Sequence, residues 1–184
     1  MSYKNENMKM IELHENGLDI QFRIRENGVV ELADFSSQEV KKAVMEPKED
    51  ICYPAVEIHR SGTGSLNMHA YKNNINQSSV DFVYENHELK AQDGGKELEI
   101  VMISSEKLKA VYHMRLFDGV PAVQTWTEII NEGSEDQGLT YVSSFMYQGI
   151  SRGGEKPYYK KQISMCRLTA GAVRHSGRNT MQKR

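Results

Sequence analysis

The sequence has few cysteines and prolines, and it contains no long hydrophobic run. Two cysteines, Cys52 and Cys166, cannot form the set of bridges that holds a small secreted domain together. No stretch approaches the roughly 18 consecutive apolar residues that a transmembrane helix needs. The first ten residues are charged and polar, so we expect no signal peptide. These absences predict a cytoplasmic protein with no membrane partner.

Charge is distributed unevenly along the 184 residues. Residues 1–155 contain 15 Lys and Arg and all 25 acidic residues, whereas residues 156–184 contain eight basic residues and no acid. A basic segment of this kind is typical of proteins that bind nucleic acids or membrane surfaces. No other feature of the sequence favours such a role. We therefore expect no nucleic-acid partner.

Alternation of apolar and polar residues predicts a chain of short strands. The clearest pattern runs from Leu108 to Leu116, where every second residue is apolar, as in a half-buried strand. Asp118-Gly119 then predicts a hairpin turn, and residues 120–131 predict the returning strand. Pro121 cannot donate a ladder hydrogen bond, so we expect it at a strand start or on an edge strand.

The same pattern predicts an all-β fold for the whole chain. Turns are predicted at Glu26-Asn27-Gly28, at Gly94-Gly95 and at Asn131-Glu132-Gly133. A helix is a candidate at 36–45, where Ser36 and Glu39 fit a capping box, and a loop is the alternative. Because no βαβ alternation is present, the strands predict an antiparallel β-sandwich. The further predicted strands are 18–25, 29–35, 53–59, 80–85, 96–103 and 139–147.

Several histidines and one glutamate are candidates for acid–base or metal chemistry. Glu57 and His59 lie two apart on a predicted strand and therefore share a face, and His69 and His87 follow. Metal and acid–base sites are built from such residues. The histidine spacings of 10 and 18 residues match no ligand motif. We therefore interpret these residues as polar groups of the surface or a sheet edge, and expect neither a metal nor a cofactor.

Three other features are weighed against simpler explanations. The segment Gly62-Thr63-Gly64-Ser65 lacks the Lys-Ser/Thr end of a phosphate loop and indicates a turn. Trp126 is the candidate for substrate binding because it can stack on a sugar, although such a tryptophan more often belongs to the core or sheet surface. Cys166 has no catalytic partner that spacing identifies. Residue patterns alone predict no catalytic residue.

A long collinear pattern begins at Tyr112 and ends at Phe145. It combines a Y-x-x-R-L-F-D-G-V-P strand and turn, a W-T pair, an N-x-G turn and an L-x-x-V-S-S-F strand. This pattern closely resembles the N-terminal domain of glycoside hydrolase family 36, which is dominated by α-galactosidases. The resemblance extends over about residues 8–161, including Tyr53-Pro54-Ala55-Val56-Glu57-Ile58. The matching residues are Tyr112, Arg115, Leu116, Phe117, Asp118, Gly119, Val120, Pro121, Trp126, Thr127, Asn131, Gly133, Leu139, Val142, Ser143, Ser144 and Phe145.

The resemblance implies a galactose-mutarotase-like β-supersandwich that precedes a (β/α)8 catalytic barrel. Retaining hydrolysis in the family uses two Asp residues with carboxyl groups about 5 Å apart, and both belong to the barrel. No catalytic residue therefore carries over to this chain. We expect residues 1–161 to be a truncated, incomplete N-terminal domain without activity. A full-length relative would hydrolyse α-galactoside oligosaccharides such as melibiose and raffinose, and we expect homo-oligomers only from the complete enzyme.

Residues 162–184 form a basic tail in which the resemblance stops. Permitted codons for residues 161–184, read one base earlier, can yield TDIYVPLNSWCGEAQWQEYNAEE, which is similar to the N-S-W-x-G-E-A-Q-W-Q pattern that follows this point in the family. Some residues of the shifted reading do not depend on the choice of codons. Met165 always gives Val, and Met181 followed by Gln182 always gives Ala. We expect a frameshifted, disordered tail in which Cys166 and His175 have no selected function. A native basic tail is the alternative.

Two further functions stay open. A free-standing carbohydrate-binding β-sandwich would use Trp126 or the tyrosines as a stacking platform. A mutarotase-like aldose epimerase would use a histidine and a glutamate. For that chemistry, His113 or His59 would need a carboxylate partner across the sheet, and fold analogy alone supports it.

Overall fold

The computed structural model describes residues 9–37, 53–63 and 77–147, which are built almost entirely of strands. A four-residue helix, α1 (Gln77–Val80), lies between the fourth and fifth strands. Within these described ranges, no helix is long and apolar enough to cross a membrane. The strands are β1 (Lys9–Glu15), β2 (Leu18–Ile24), β3 (Val30–Ser37), β4 (Ile58–Arg60), β5 (Val83–Gln92), β6 (Gly95–Ile103), β7 (Leu108–Phe117), β8 (Val120–Asn131) and β9 (Leu139–Val142).

The strands form three antiparallel sheets. Their orders are β1-β2-β3, β4-β9 and β5-β6-β7-β8. Two-residue turns join β1 to β2, β5 to β6 and β7 to β8, which is the connection that antiparallel neighbours allow. The predicted Asp118-Gly119 hairpin is confirmed, and Gly119 has the positive φ of 70° that such a turn requires. The predicted all-β antiparallel fold is thus confirmed.

The three-stranded and four-stranded sheets pack against each other around one apolar core. Alternate side chains of β2, β6 and β7 point inward, as period-two alternation requires. The rings of Phe22 and Tyr112 meet edge to face between the sheets, with centroids 5.7 Å apart. The other side chains of β6 and β7 therefore point to the opposite face of their sheet. Fully buried core residues include Ile20, Phe22, Ile58, Leu98, Ile100, Ala110, Tyr112 and Met114.

The hairpins predicted from local sequence are the most accurate part of the prediction. The strands predicted at 18–25, 29–35, 96–103, 108–116 and 120–131 occur within two residues of their predicted ends. Pro121 is the second residue of β8, an outer strand of its sheet, as expected. The Asn131-to-Gly133 turn is also confirmed, because the Gly133 amide donates to Asn131 Oδ1 at 3.0 Å.

The strand predicted at 80–85 is displaced. Val80 is the last residue of α1, and β5 begins at Val83. The hydroxyls of Ser78 and Ser79 donate to the carbonyl of Ile58 at 2.9 and 3.0 Å. These contacts hold the segment before β5 against β4 in a helical turn, which strand alternation cannot indicate.

The strands predicted at 53–59 and 139–147 are too long. They pair with each other, and the pairing covers three residues in β4 and four in β9. Past that ladder, the Glu57 amide donates to Ser143 Oγ at 2.7 Å, so a side chain replaces a ladder bond. The Ser143 amide still donates to the Glu57 carbonyl at 2.8 Å. The aromatic residues beyond it pack against Phe35 in β3, namely Phe145 and Tyr147.

Local sequence patterns also predicted a helix and a turn in the wrong places and did not predict one of the strands. Ser36 pairs with Asp19 inside β3, so no helix begins at the predicted capping box. The turn predicted at Gly94-Gly95 consists of Asp93 and Gly94, since Gly95 starts β6. β1 was not predicted, and it pairs with β2 over seven residues. The rest of the 36–45 candidate, the boundary at 161 and the tail 162–184 lie outside the described residues.

Candidate functional site on the outer face of the four-stranded sheet

A row of neighbouring side chains crosses the face of the four-stranded sheet that is turned away from the core. The register places Glu88 opposite Glu99, Glu99 opposite His113, and His113 opposite Trp126, one residue from each strand. Directly opposite residues in neighbouring strands share a face and lie in contact range. We define the outer-face cluster as five of the residues in and beside this row: Glu97, Glu99, His113, Trp126 and Glu128.

The imidazole of His113 lies among three carboxylates of the outer-face cluster. Its Nδ1 is 2.9 Å from Glu97 Oε1 and 3.9 Å from Glu99 Oε1, both on β6. Its Nε2 is 3.9 Å from Glu128 Oε1 on β8. The His113 side chain is 9% exposed and that of Glu97 is 12% exposed, so the pair is largely removed from water. Charges at such a site interact more strongly than they would at an open surface.

Trp126 covers the imidazole of His113. The two rings are parallel within 4°, with centroids 4.6 Å apart. Trp126 is the single tryptophan of the chain and is partly buried in β8. Its position on the outer face confirms neither sugar binding nor a place in the core. The stacked indole covers His113, which explains how this histidine can be buried on the side of the sheet that faces away from the core.

One buried side-chain atom of the outer-face cluster has no hydrogen-bond partner. Among the described residues, His113 Nε2 is buried and unpaired. Lys90 contacts Glu99 through its ammonium group, and its Nζ is 3.6 Å from Glu88 Oε2. The hydrogen bond to Glu99 raises the pKa of Lys90 and keeps the ammonium charged. A buried nitrogen without a partner is costly, and it marks a place where a bound ligand would gain an interaction.

The predicted pair of Glu57 and His59 does come together at β4. His59 Nε2 is 2.8 Å from Glu57 Oε1, and the His59 ring lies 5.1 Å from that of Tyr141. Glu57 is buried, so the surface part of its interpretation as a surface or sheet-edge residue is wrong. Its amide and carbonyl both bond to Ser143, the residue after β9. Glu57 and His59 belong to one stretch of chain, so Glu57 is not a carboxylate partner of His59 from across the sheet.

The remaining sequence candidates lie elsewhere. His87 is on β5, with Nδ1 2.8 Å from the hydroxyl of Tyr84. Partial burial, and then the charge of Lys9, lower the pKa of His87. Gly62 lies in a turn with φ of 81°, as predicted for the described part of that segment. The other candidate residues lie outside the described residues: Gly64-Ser65, His69 and Cys166.

Glu97 and Glu99 are the functional candidates that sequence reasoning missed. Both alternate with the apolar residues of β6, so their outward orientation was predictable from the pattern. Their meeting with His113 depends on the register between β6 and β7, which no local signal specifies.

The outer-face cluster can support three kinds of chemistry. An imidazole that is hydrogen-bonded to a carboxylate can transfer a proton. A partly exposed indole can stack on a sugar. Two carboxylates with an imidazole can bind a cation. Comparison with protein-family models and with curated proteins found no match to this chain. The choice among these chemistries therefore depends on the residues themselves.

Proposed function

We propose that this chain is a non-catalytic, N-terminal β-sandwich domain of an α-galactosidase-like glycoside hydrolase. The observation that carries the proposal is the agreement between the family-like pattern and the strands of the structure. The Y-x-x-R-L-F part of the pattern lies in β7, and Asp118-Gly119 is the turn after it. The W-T pair lies in β8, and the N-x-G motif forms the turn that follows. The L-x-x-V-S-S-F part begins in β9 and continues past the end of that strand at Val142.

The absence of catalysis follows from the resemblance. In the family that the chain resembles, the two Asp carboxyl groups that cleave the glycosidic bond belong to the barrel domain. A sandwich domain would then contribute stability and assembly to the complete enzyme. Terminal α-galactosides would be substrates of that complete enzyme and would not be hydrolysed by these 184 residues.

An activity assay tests the proposal directly. The full chain is purified from a host that lacks its own α-galactosidase and is incubated with a nitrophenyl α-galactoside. We expect hydrolysis at the buffer rate. Hydrolysis well above that rate would overturn the non-catalytic assignment.

The nucleotide sequence of the locus tests the family assignment separately. We expect coding for a glycosidase-like barrel in an alternative frame beyond about codon 161. Absence of such coding in every frame would contradict both the family assignment and the frameshift hypothesis for residues 162–184.

A carbohydrate-binding module is a second candidate, favoured by the position of Trp126. The indole is partly exposed on the outer face of β8, and Glu128 lies two residues further along the same face of that strand. Indole rings bind sugar rings by stacking on their apolar faces. Because Trp126 is the single tryptophan, its fluorescence reports this site alone. Raffinose should shift its emission if the module binds α-galactosides, and maltose serves as the control sugar.

An aldose epimerase is a third candidate, favoured by the pair of His113 and Glu97. Nδ1 of His113 lies 2.9 Å from Glu97 Oε1 across β6 and β7, which supplies the carboxylate partner that this chemistry needs. Mutarotation requires one group to take the proton of the anomeric hydroxyl and another to protonate the ring oxygen as the C1–O5 bond breaks. Polarimetry of fresh α-galactose measures it. An unchanged rate of anomerisation would exclude this candidate.

A further inference from the structure

The geometry points to a binding site for a divalent transition-metal ion of the zinc class, formed by Glu97, Glu99 and His113. This inference is independent of the proposed glycosidase relationship. Among the described residues, these three form the one group of three or more potential ligands whose donor atoms all lie within 4.8 Å of one another. The group joins two neighbouring strands, because Glu97 and Glu99 belong to β6 and His113 to β7.

The distances are close to those of a metal site. Zinc binds histidine nitrogen and carboxylate oxygen at about 2.0–2.2 Å in a tetrahedral arrangement, so two of its ligand atoms lie about 3.3–3.6 Å apart. The Nδ1 atom of His113 is already 2.9 Å from one glutamate oxygen and 3.9 Å from the other. Because the three donor atoms lie within 4.8 Å of one another, side-chain adjustments of at most about 1.5 Å would bring them all into range. The backbone of two paired strands holds the ligands, so little further ordering is required.

The surroundings of His113 supply the support that a metal-bound histidine needs. When a metal takes Nδ1 of a neutral imidazole, the proton resides on Nε2, and that N–H needs an acceptor. In His113 this atom is buried and has no hydrogen-bond partner among the described residues, and Glu128 Oε1 is 3.9 Å away. A rotation of the exposed Glu128 side chain would close that contact. Metal binding at Nδ1 would thus move the imidazole proton to this unpaired nitrogen and give it Glu128 as its acceptor, which favours the site beyond the grouping of the carboxylates.

The charge of the site also favours a cation. Two carboxylates face Nδ1 and a third faces Nε2, while Lys90 contacts Glu99 from the neighbouring strand. The ammonium group of Lys90 compensates part of this negative charge and would compete with a metal for Glu99. The imidazole selects an ion of the zinc class over calcium or magnesium, which prefer oxygen ligands alone.

Zinc and cobalt titrations of the full chain test the proposal. Calorimetry with Zn²⁺ should give one ion per chain. Co²⁺, a paramagnetic ion, should quench the fluorescence of Trp126, because that ring stacks on the ligand His113 at 4.6 Å. Zn²⁺ should then reverse the quenching by displacing Co²⁺. The emission comes from the single tryptophan, so the quenching reports Co²⁺ that is bound near Trp126.

Matched variants distinguish Zn²⁺ binding at this site from the general attraction of a cation to acidic side chains. Glu99→Gln should weaken Zn²⁺ binding at least about tenfold, because even loss of a supporting residue costs that much. Glu88→Gln removes a carboxylate that also lies near Lys90 and should leave the affinity within about twofold. Lys90→Met should raise the affinity, since it removes the competing charge. His113→Gln should abolish the binding measured by calorimetry.

Three outcomes would overturn the site. The first is a folded wild-type chain whose Trp126 fluorescence does not respond to Co²⁺. The second is quenching that survives Glu99→Gln, and the third is an equal loss of affinity in Glu88→Gln and Glu99→Gln. Because Glu99→Gln preserves size and shape on a partly exposed side chain, it tests the proposal even where His113→Gln does not fold.

Discussion

Leu98 and Leu89 show how much the position of one residue within the sandwich matters. They lie directly opposite each other on β6 and β5 and share the face that carries the core. Leu98 is 0% exposed, whereas Leu89 is 43% exposed. The difference arises because β5 is an outer strand of its sheet, so the core covers β6 and leaves this part of β5 in water.

We expect Leu98→Ala to lower the free energy of unfolding by about 2–5 kcal/mol, because it removes buried methyl groups and leaves a cavity. Leu89→Ala makes the same chemical change on the exposed partner and should cost less than about 0.5 kcal/mol. Urea unfolding followed by circular dichroism measures both. Similar losses in the two variants would contradict the placement of the core.

His87 couples the stability of the fold to pH. Partial burial, and then the positive charge of Lys9, lower the pKa of His87 below its value of 6.5 in an unfolded chain. The unfolded chain therefore binds a proton more readily than the folded one. The resulting contribution to the free energy of unfolding is present above pH 6.5. It is lost as the pH falls through the lower pKa that His87 has in the folded state.

His87→Gln should therefore lose less stability than the wild type between about pH 7.5 and about pH 5.5. The difference should stay below about 1 kcal/mol, because solvent screens a side chain this exposed. Lys9→Met should act in the same direction by a smaller amount. Thermal melts across this pH range measure the effect, and identical pH profiles for wild type and His87→Gln would disprove the coupling.

At the scale of the elements, the turn between β2 and β3 connects the two large sheets. The carbonyl of Gly28 accepts a hydrogen bond from the amide of Tyr84, near the start of β5, at 2.8 Å. Gly28 has φ of 83°, and a Cβ atom there would lie 2.9 Å from Val83 Cβ. This position therefore needs glycine for its backbone conformation and for the close approach of a neighbouring strand.

Gly28→Ala should consequently destabilise the fold more than Gly17→Ala does. Gly17 has nearly the same φ, 81°, but a Cβ atom there meets nothing within 4 Å. The left-handed conformation should cost about 1–2 kcal/mol in both variants, and the contact with Val83 adds to that cost only in Gly28→Ala. Equal free energies of unfolding for the two variants would show that the approach of β5 is not constrained.

At the scale of the whole molecule, the four-stranded sheet ends in a long outer strand. β8 contains 12 residues and, within the part of the chain that the structure describes, pairs with β7 alone. It also exposes Val120 and Ile130, which are 48% and 43% exposed. Long outer strands with exposed apolar residues favour pairing between molecules.

We expect the purified chain to associate with rising concentration, and Ile130→Glu to shift it toward the monomer. Residue 130 lies opposite Lys109, so the new carboxylate would face an ammonium group and cost the sheet little. Leu139→Glu introduces the same charge at an exposed position of β9 and should leave the association unchanged. Size exclusion with light scattering measures both. A monodisperse monomer with a sharp cooperative melt at all concentrations would contradict this expectation.

Local chemistry was enough to predict the hairpins of this protein and the orientation of their side chains. Period-two alternation on β6 and β7, with Asp118-Gly119 after β7, specifies strands, turns and the buried face, because each depends on residues close in sequence. The outward position of Glu97 and Glu99 follows from the same alternation.

Features that depend on contacts between distant segments were decided by the tertiary structure. The helical turn before β5 exists because serine hydroxyls bond to β4, some 20 residues earlier in the chain. The amide of Glu57 donates to the hydroxyl of Ser143, 86 residues away. The meeting of His113 with Glu97, Glu99 and Trp126 depends on the register of three strands. A shift of one residue in that register would turn each side chain to the other face, and it is the packing of the shared core that holds the register in place.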